Sequence, residues 1–471
     1  MIIGRDKELK ILEGVLLDDS SHFVAIYGRR RIGKTYLIRE AYGYRFTFQH
    51  AGLSKGGLKE QLFAFQASIR DCGGKTPHKA TNWLEAFEDL KELIRNSSEK
   101  KKVIFIDELS WMDTARCDLL VALENFWNGW ASARKDIILI ICASATSWML
   151  SNVIHNKGGL YNRITETIHL GCFSLGECEE YVKAHGMTFQ RNQILQYYMV
   201  FGGVPYYWTF LEKGLSIAQN IDKTLFAKDA PLKEEFQYLY ASIYKHPETY
   251  LRIVETLAHK KVGMTREEII SQSGIINSGD LTKKLEELES CGFIRKFNSF
   301  GRKKKSAVYQ LIDFYTLFHY QFLEQKPTDE RFWTNQINTP KINTWNGLAF
   351  ERVCLEHIDK MKQKLGISGV QTEVNSWYCD ADSEKGISGA QIDLLIVRKD
   401  QVINLCEMKY ASSDFVVTEK IQRELRNKIT SFVTKTETKY AIFPTLVTTY
   451  GIADHASSGI FQSVITMDDL F

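Results

Sequence analysis

The stretch "FVAIYGRRRIGKTYLIREAY", residues 23–42, constrains this chain more than any other. An apolar run suited to a buried strand ends at Gly28, four residues follow, and Gly33, Lys34 and Thr35 then open a helical pattern. Glycines let the backbone curl so that successive N–H groups converge on one point. The helix that follows turns its positive N-terminus toward that same point. A lysine placed there suits phosphate oxygens, and a hydroxyl beside it suits Mg²⁺. The spacing is the Walker A pattern. It nominates Gly28, Arg29, Arg30, Arg31, Ile32, Gly33, Lys34, Thr35 and Tyr36 as ATP contacts, with Thr35 also a ligand of Mg²⁺.

A loop of this kind calls for a second strand that ends in acid. "VIFIDELSWM" supplies four apolar residues and then Asp107 and Glu108. Asp107 is expected to hold Mg²⁺ through water, and Glu108 to polarise the water that attacks the phosphate.

Length and composition set the frame around these motifs. At roughly 150 residues per domain, 471 residues suggest about three domains. Hydrophobic residues make up 44%, enough for sizeable cores, and the net charge of +3 means that any nucleic-acid signal must be local. Nine cysteines occur with no CxxC pair, which reads as reduced, buried thiols. The opening "MIIGRDKELK" lacks an apolar signal core, and the longest aliphatic run, 137–143, is too short to span a bilayer. The expectation is a cytoplasmic protein with no membrane segment.

Strand-like runs at 23–28, 44–49, 103–107 and 137–144 alternate with helical patterns, as in a parallel sheet covered on both faces. From about 174 to 245 the strands give way to helices. Residues 250–312 read as three short helices and a hairpin, a winged helix-turn-helix. Its hairpin loop holds Arg302, Lys303, Lys304 and Lys305, four consecutive cations able to straddle DNA phosphates. The candidate recognition helix carries Lys283 and Lys284 but also Asp280, Glu286, Glu287 and Glu289, a poor major-groove reader.

With these motifs in place, the first 210 or so residues resemble the archaeal-type P-loop ATPases, close to the AAA+ and STAND families. The resemblance extends to "IIGRDKEL", "ICASATSWM", "GGLYNRIT" and "FGGVPYYW". It implies that Gly4 and Arg5 lie beside the nucleotide and that Ser144 is a sensor near the γ-phosphate. It further implies a catalytic arginine at Arg163 and a lid turn at Gly203 and Pro205 near the base.

The last segment carries a second constellation. A helix over 348–364 holds Glu351, a strand at 391–398 holds Asp393, and a strand at 402–408 leads to Glu407 and Lys409. A further helix at 418–434 and a strand at 439–444 complete the pattern. Residues two apart on a strand share a face, so Glu407 and Lys409 point the same way, and a hairpin would bring Asp393 to them. Carboxylates that hold a metal and a lysine that positions water suit phosphodiester cleavage. The order resembles the PD-(D/E)xK nuclease superfamily, with Gln422 matching a residue some members add; no proline precedes Asp393. The resemblance implies metal ligands at Glu351, Asp393 and Glu407, and catalysis by Glu407 and Lys409.

The expected architecture is therefore α/β. A P-loop NTPase parallel sheet (1–172) and a helical lid (173–245) precede a winged helix-turn-helix (246–315), a linker (316–344) and a small restriction-nuclease-like domain (345–471). The function expected is Mg-dependent ATP hydrolysis, with Lys34 and Glu108 catalytic, coupled to DNA binding and metal-dependent nucleic-acid cleavage. The alternative is a nucleotide-gated signalling or scaffolding switch whose C-terminal domain binds a partner without cutting. Either reading allows a homo-oligomer or a protein partner.

Overall fold

All seven residues of the run Ile137–Ala143 are buried. A strand with no polar face needs cover on both sides, which dictates a sheet between two helical layers. The computed structural model describes residues 2–144, 146–244, 246–301, 307–381, 389–453 and 458–471. Its first sheet contains β1 (His22–Tyr27), β2 (Phe48–Ala51), β3 (Lys102–Asp107), β4 (Ile137–Ala143) and β5 (Glu166–His169), in the order β2-β3-β4-β1-β5. Every pairing is parallel. Alternation divides the strands between two cores. Phe23, Ala25, Ile104, Ile106, Leu139 and Ile141 face one, while Val24, Ile26, Val103, Phe105, Ile138 and Ile140 face the other.

Two details differ from expectation. The strand placed at 44–49 begins only at Phe48, because Gly43 and Tyr44 take positive φ of 56° and 59° and the chain is still turning there. The polar β5 was not anticipated; it pairs with β1 alone, as an edge strand can.

The chain divides into two compact units, Met1–Cys172 with Ser242–Lys245, and Phe173–Ala241 with His246–Phe471. In the second unit a helix at Leu175–Ala184, closed by a capping box of Ser174 and Glu177, packs with a helix at Arg191–Phe201. Three helices at Glu248–Ala258, Arg266–Ser273 and Gly279–Ser290 accompany a small antiparallel sheet. Its strands are β6 (Met264–Thr265), β7 (Ile294–Phe297) and β8 (Val308–Leu311), in the order β6-β8-β7. The loop residues 302–305 lie outside the described residues.

The stretch 316–344 is not a linker. It runs through a helix at Phe314–Phe318, a π-helical turn at His319–Leu323 and a helix at Phe332–Asn335. Phe314, Phe318, Phe322, Trp333 and Trp345 are buried there. The polar "QKPTDER" that suggested a linker is only a short turn between aromatic segments that fill a core.

A third sheet has the order β13-β12-β11-β10-β9. Here β9 (Thr372–Cys379), β10 (Ala390–Arg398) and β11 (Val402–Lys409) form an antiparallel meander. β12 (Ala441–Thr448) then joins β11 in parallel, followed by β13 (Ser463–Thr466). A helix at Glu419–Thr436 makes the crossover that the parallel pairing requires. The helix expected over 348–364 is two, Pro340–Glu356 and Ile358–Lys364, separated at His357. The first of these ties the sheet to the 173–241 helices of the same unit. Tyr198 Oη donates to Glu356 Oε2 at 3.0 Å, and Leu175 N donates to His357 Nε2 at 3.1 Å.

Candidate functional site

The strand order brings three chain segments to one end of the first sheet. Gly28 follows β1, Asp107 ends β3, and Ser144 follows β4, which lies between them. Carboxyl ends of parallel strands are where open α/β sheets bind ligands. The turn after β1 needs its glycines. Gly28 has φ of 149°, and a Cβ there would lie 2.2 Å from the Leu170 carbonyl oxygen. Gly33 has φ of 86° and leads directly into the helix Lys34–Ala41.

The side chains form one connected set. Lys34 Nζ donates to the carbonyl oxygens of Gly28 and Arg29 at 2.9 Å each and to Ser144 Oγ at 3.1 Å. Ser144 Oγ donates in turn to Glu108 Oε1 at 2.6 Å, and Ser144 N to Glu108 Oε2 at 3.2 Å. Thr35 Oγ1 donates to Asp107 Oδ2 at 2.6 Å, and Asp107 Oδ1 accepts from Glu108 N at 2.9 Å. Glu108 sits at φ 48°, a left-handed backbone that a non-glycine residue adopts at some cost and that recurs at functional turns. Cys142 lies beside Asp107, and burial, with Asp107 adding, pushes its thiol well up and keeps it neutral. The Thr35 hydroxyl and Asp107 carboxylate are adjacent hard oxygens, a donor pair that fits Mg²⁺.

The remaining candidates of this unit are placed as follows. Arg29 and Ile32 are buried, and Tyr36 is exposed. The Arg30 guanidinium stands 5.7 Å from the Trp111 ring, and Arg31 has φ of 73°. Gly4 and Arg5 both take left-handed φ, 61° and 66°, and Arg5 Nη2 donates to the Gly171 carbonyl at 2.8 Å. Gly171 follows Leu170, the residue against Gly28, so Arg5 belongs to the rim of the loop. Arg163 is exposed in a turn whose N–H bonds the Leu160 carbonyl, outside the hydrogen-bonded set around Lys34. Gly203 and Pro205 belong to the second unit. Gly203 O accepts from Phe173 N at 2.6 Å, a Cβ on Gly203 would meet Phe173 O at 1.8 Å, and Pro205 opens a short helix.

The second constellation assembles in part. Glu407 has both carboxylate oxygens engaged, Oε1 by Lys409 Nζ and Oε2 by Lys428 Nζ, each at 2.8 Å. Burial alone would raise Glu407, but Lys428 and Lys409 hold it below the usual carboxylate range. Burial alone would likewise lower Lys409, yet Glu407, with Glu351 and Asp393, holds it above its ordinary value. Burial pushes Glu351 up to about 7, with Asp393 adding to the effect and Arg352 and Lys409 opposing it. Asp393 accepts from Gln391 Nε2 at 2.5 Å and occupies a β-bulge between Ile392 and Leu395, where two residues of β10 oppose one of β9. Bulges recur where a strand must re-aim a side chain. Gln422 lies in the first turn of the crossing helix.

The metal set expected of Glu351, Asp393 and Glu407 is not formed. Among the described residues no three His, Cys, Asp or Glu side chains group as metal ligands. Glu407 is already neutralised twice, so this donor set, as held, does not fit a divalent ion.

Sequence reasoning missed Lys428, whose partner is 21 positions away, and the pair Arg295 and Arg352 beside Asp393. Arg352 donates to the carbonyls of Leu311 and Lys261 at 3.2 and 2.5 Å. Burial, then Arg352, lowers Arg295 to about 9. Such pairs are made by folding and leave no local pattern. Gln61 was also missed; its buried amide clamps the carbonyls of Leu53 and Trp111 at 2.7 and 2.9 Å.

Residues 2–208 match the model of an ATPase domain predominantly from Archaea. Residues 315–425 match a family of archaeal and bacterial proteins of unknown function. An uncharacterized protein of Methanocaldococcus jannaschii is 24% identical over 434 residues, covering 91% of this chain and 92% of its own length. Among solved structures, the Walker-type ATPase PABY2304 of Pyrococcus abyssi has a TM-score of 0.47 at 15% identity, covering 68% of this chain and 96% of its own. The ORC2 protein of Aeropyrum pernix, in ADPNP–ADP complexes, has a TM-score of 0.42 at 15% identity, with 68% and 92% covered. Among the described residues no helix is long and apolar enough to cross a membrane.

Proposed function

We propose that the first unit hydrolyses ATP with Mg²⁺ and that turnover controls a nucleic-acid-directed second unit. The observation that carries the first half is the continuous set Lys34–Ser144–Glu108 beside Thr35–Asp107. Lys34 now bonds neutral oxygens, whereas a triphosphate offers charged ones, and charge-assisted hydrogen bonds are roughly twice as strong. Lys34 therefore turns to the phosphates, and the backbone N–H groups of 28–35 receive the anion at the helix N-terminus. Thr35 and Asp107 would hold Mg²⁺, which when bound neutralises phosphate charge. When Ser144 Oγ turns from Glu108 Oε1, that oxygen takes a proton from the water that attacks the terminal phosphorus. The bond from that phosphorus to the bridging oxygen breaks, and ADP and phosphate depart.

The test is steady-state phosphate release together with calorimetric ATP binding. Lys34→Ala should abolish saturable binding. Glu108→Gln should bind ATP as the parent does and turn over at least about 100-fold more slowly, the scale of a lost general base. Full turnover in Glu108→Gln would remove Glu108 from the chemistry.

For the second unit, we read 246–315 as a winged helix-turn-helix and 345–471 as a PD-(D/E)xK nuclease-like domain. The support is the helix–three-strand–helix–strand order of the latter and the shared electrostatic surroundings of Glu351, Asp393, Glu407 and Lys409. The ion pairs of Glu407 favour a second reading, a nucleotide-gated switch whose C-terminal domain binds a partner and does not cut. Cleavage of single- and double-stranded DNA and RNA, with and without ATP, in Mg²⁺ and Mn²⁺, separates them. Cutting that Glu407→Ala abolishes supports the first; ATP-dependent partner binding without cutting supports the second. DNA affinity through 302–305 should fall when those four cations are replaced by serine.

A further inference from the structure

Lys428 stands where a lysine is least expected. The crossing helix Glu419–Thr436 presents Leu425 and Phe432 to the core beneath it, and both are buried. Lys428 lies between them at the three- and four-residue spacings that mark a single helix face. A cation on a core-facing stripe is costly unless it is paired. Its partner is Glu407, itself only 14% exposed in the side chain, at 2.8 Å. Ile403 and Leu405 share the β11 face of Glu407 and enter the same core.

The charge around Glu407 leaves nothing for a divalent ion. Lys409 and Lys428 take its two oxygens. Asp393 has Arg295 and Arg352 close enough to interact with it electrostatically. Two ammonium groups therefore meet the single negative charge of Glu407. Two hard oxygens that would suit a divalent cation are already satisfied by the protein's own ammonium groups.

We infer that Lys428 is the resident counter-ion of Glu407 and excludes divalent metal from the C-terminal site. That a divalent ion is the relevant ligand rests on the nuclease-like reading of 345–471; the competition between lysine and metal for Glu407 does not. Removing the Lys428 ammonium frees Oε2 of the buried Glu407 carboxylate for a divalent cation, while Lys409 keeps Oε1.

The test is Mn²⁺ binding, followed by calorimetry and by the electron paramagnetic resonance of free Mn²⁺. It uses the nucleotide-free full chain carrying Asp107→Asn, so that the P-loop contributes no ion. Lys428→Gln should bind Mn²⁺ at least about tenfold more tightly than this parent. Lys428→Arg, which keeps the charge, should bind no better than the parent. Adding Glu407→Gln to Lys428→Gln should remove the gained site, and circular dichroism establishes that each variant is folded. Equal affinity in parent and Lys428→Gln overturns the inference, as does a gained site that survives Glu407→Gln. If Lys428→Gln gains Mn²⁺ and still cuts nothing, the nuclease reading fails while the inference stands.

Discussion

At the scale of single residues, the two candidate sites treat their carboxylates in opposite ways. Glu108 accepts one hydrogen bond from the Ser144 hydroxyl and one from its backbone N–H, and rotation of the serine side chain frees Oε1 alone. Glu407 is held by two ammonium groups. Glu351 is a third case, since burial and Asp393 raise it to about 7. Its folded state therefore holds a proton that the unfolded chain releases near the ordinary carboxylate value. Between roughly pH 4.5 and 7 the folded form binds more protons, so stability contributed at this site falls as pH rises through that window. Glu351→Gln should flatten this part of the stability–pH curve and be more stable than the parent above pH 7. Denaturant midpoints from pH 4.5 to 8 check this, and parallel curves for the two proteins would refute it.

At the scale of elements, the decisive arrangement is β4 lying between β1 and β3. It sets Ser144 between the lysine of one neighbour and the glutamate of the other. The same tight turn makes a prediction about its glycines. Gly28→Ala puts a methyl carbon 2.2 Å from a backbone oxygen, whereas at Gly33 the space is open and only the positive φ resists a side chain. Gly33→Ala should cost about 1–2 kcal/mol, and Gly28→Ala clearly more, read from thermal or denaturant unfolding. Equal costs would show that the contact with Leu170 relaxes freely.

Much of this level was legible in the sequence, for identifiable reasons. Phosphate-loop spacing and fully apolar strands are local patterns, and so were 22–27, 102–107 and 137–143 found to within a residue or two. The crossing helix was legible from its helical period, and the β10–β11 hairpin from two apolar runs joined by a short polar turn. β5 and β9 escaped because polar residues interrupt them. The false linker at 316–344 arose because seven polar residues outweighed aromatics that only a three-dimensional core gathers together. The ion pair of Lys428 with Glu407 is likewise invisible along the chain, since sequence distance carries no information about it.

At the scale of the molecule, the division into two units means that the 173–241 helices share a body with the C-terminal sheet. Tyr198 with Glu356 and Leu175 with His357 are among the bonds that join them. Two calorimetric unfolding transitions are expected, with Mg-ATP raising only the one that belongs to the P-loop unit. Ligand at 100 times its Kd stabilises the species that binds it by about 2.7 kcal/mol. A single transition that ATP moves as a whole would mean that the units unfold together.

The bulge at Asp393 has a consequence for inheritance. Ile392 and Leu395 enter the same core although they are three positions apart, because Asp393 and Leu394 together oppose Ser376 alone. β10 therefore carries one residue more than a regular ladder needs. Loss of the single Asp393 codon would restore even pairing and leave Ile392 and Leu395 facing the same core. One in-frame deletion would therefore remove this acid and keep the core face of the strand.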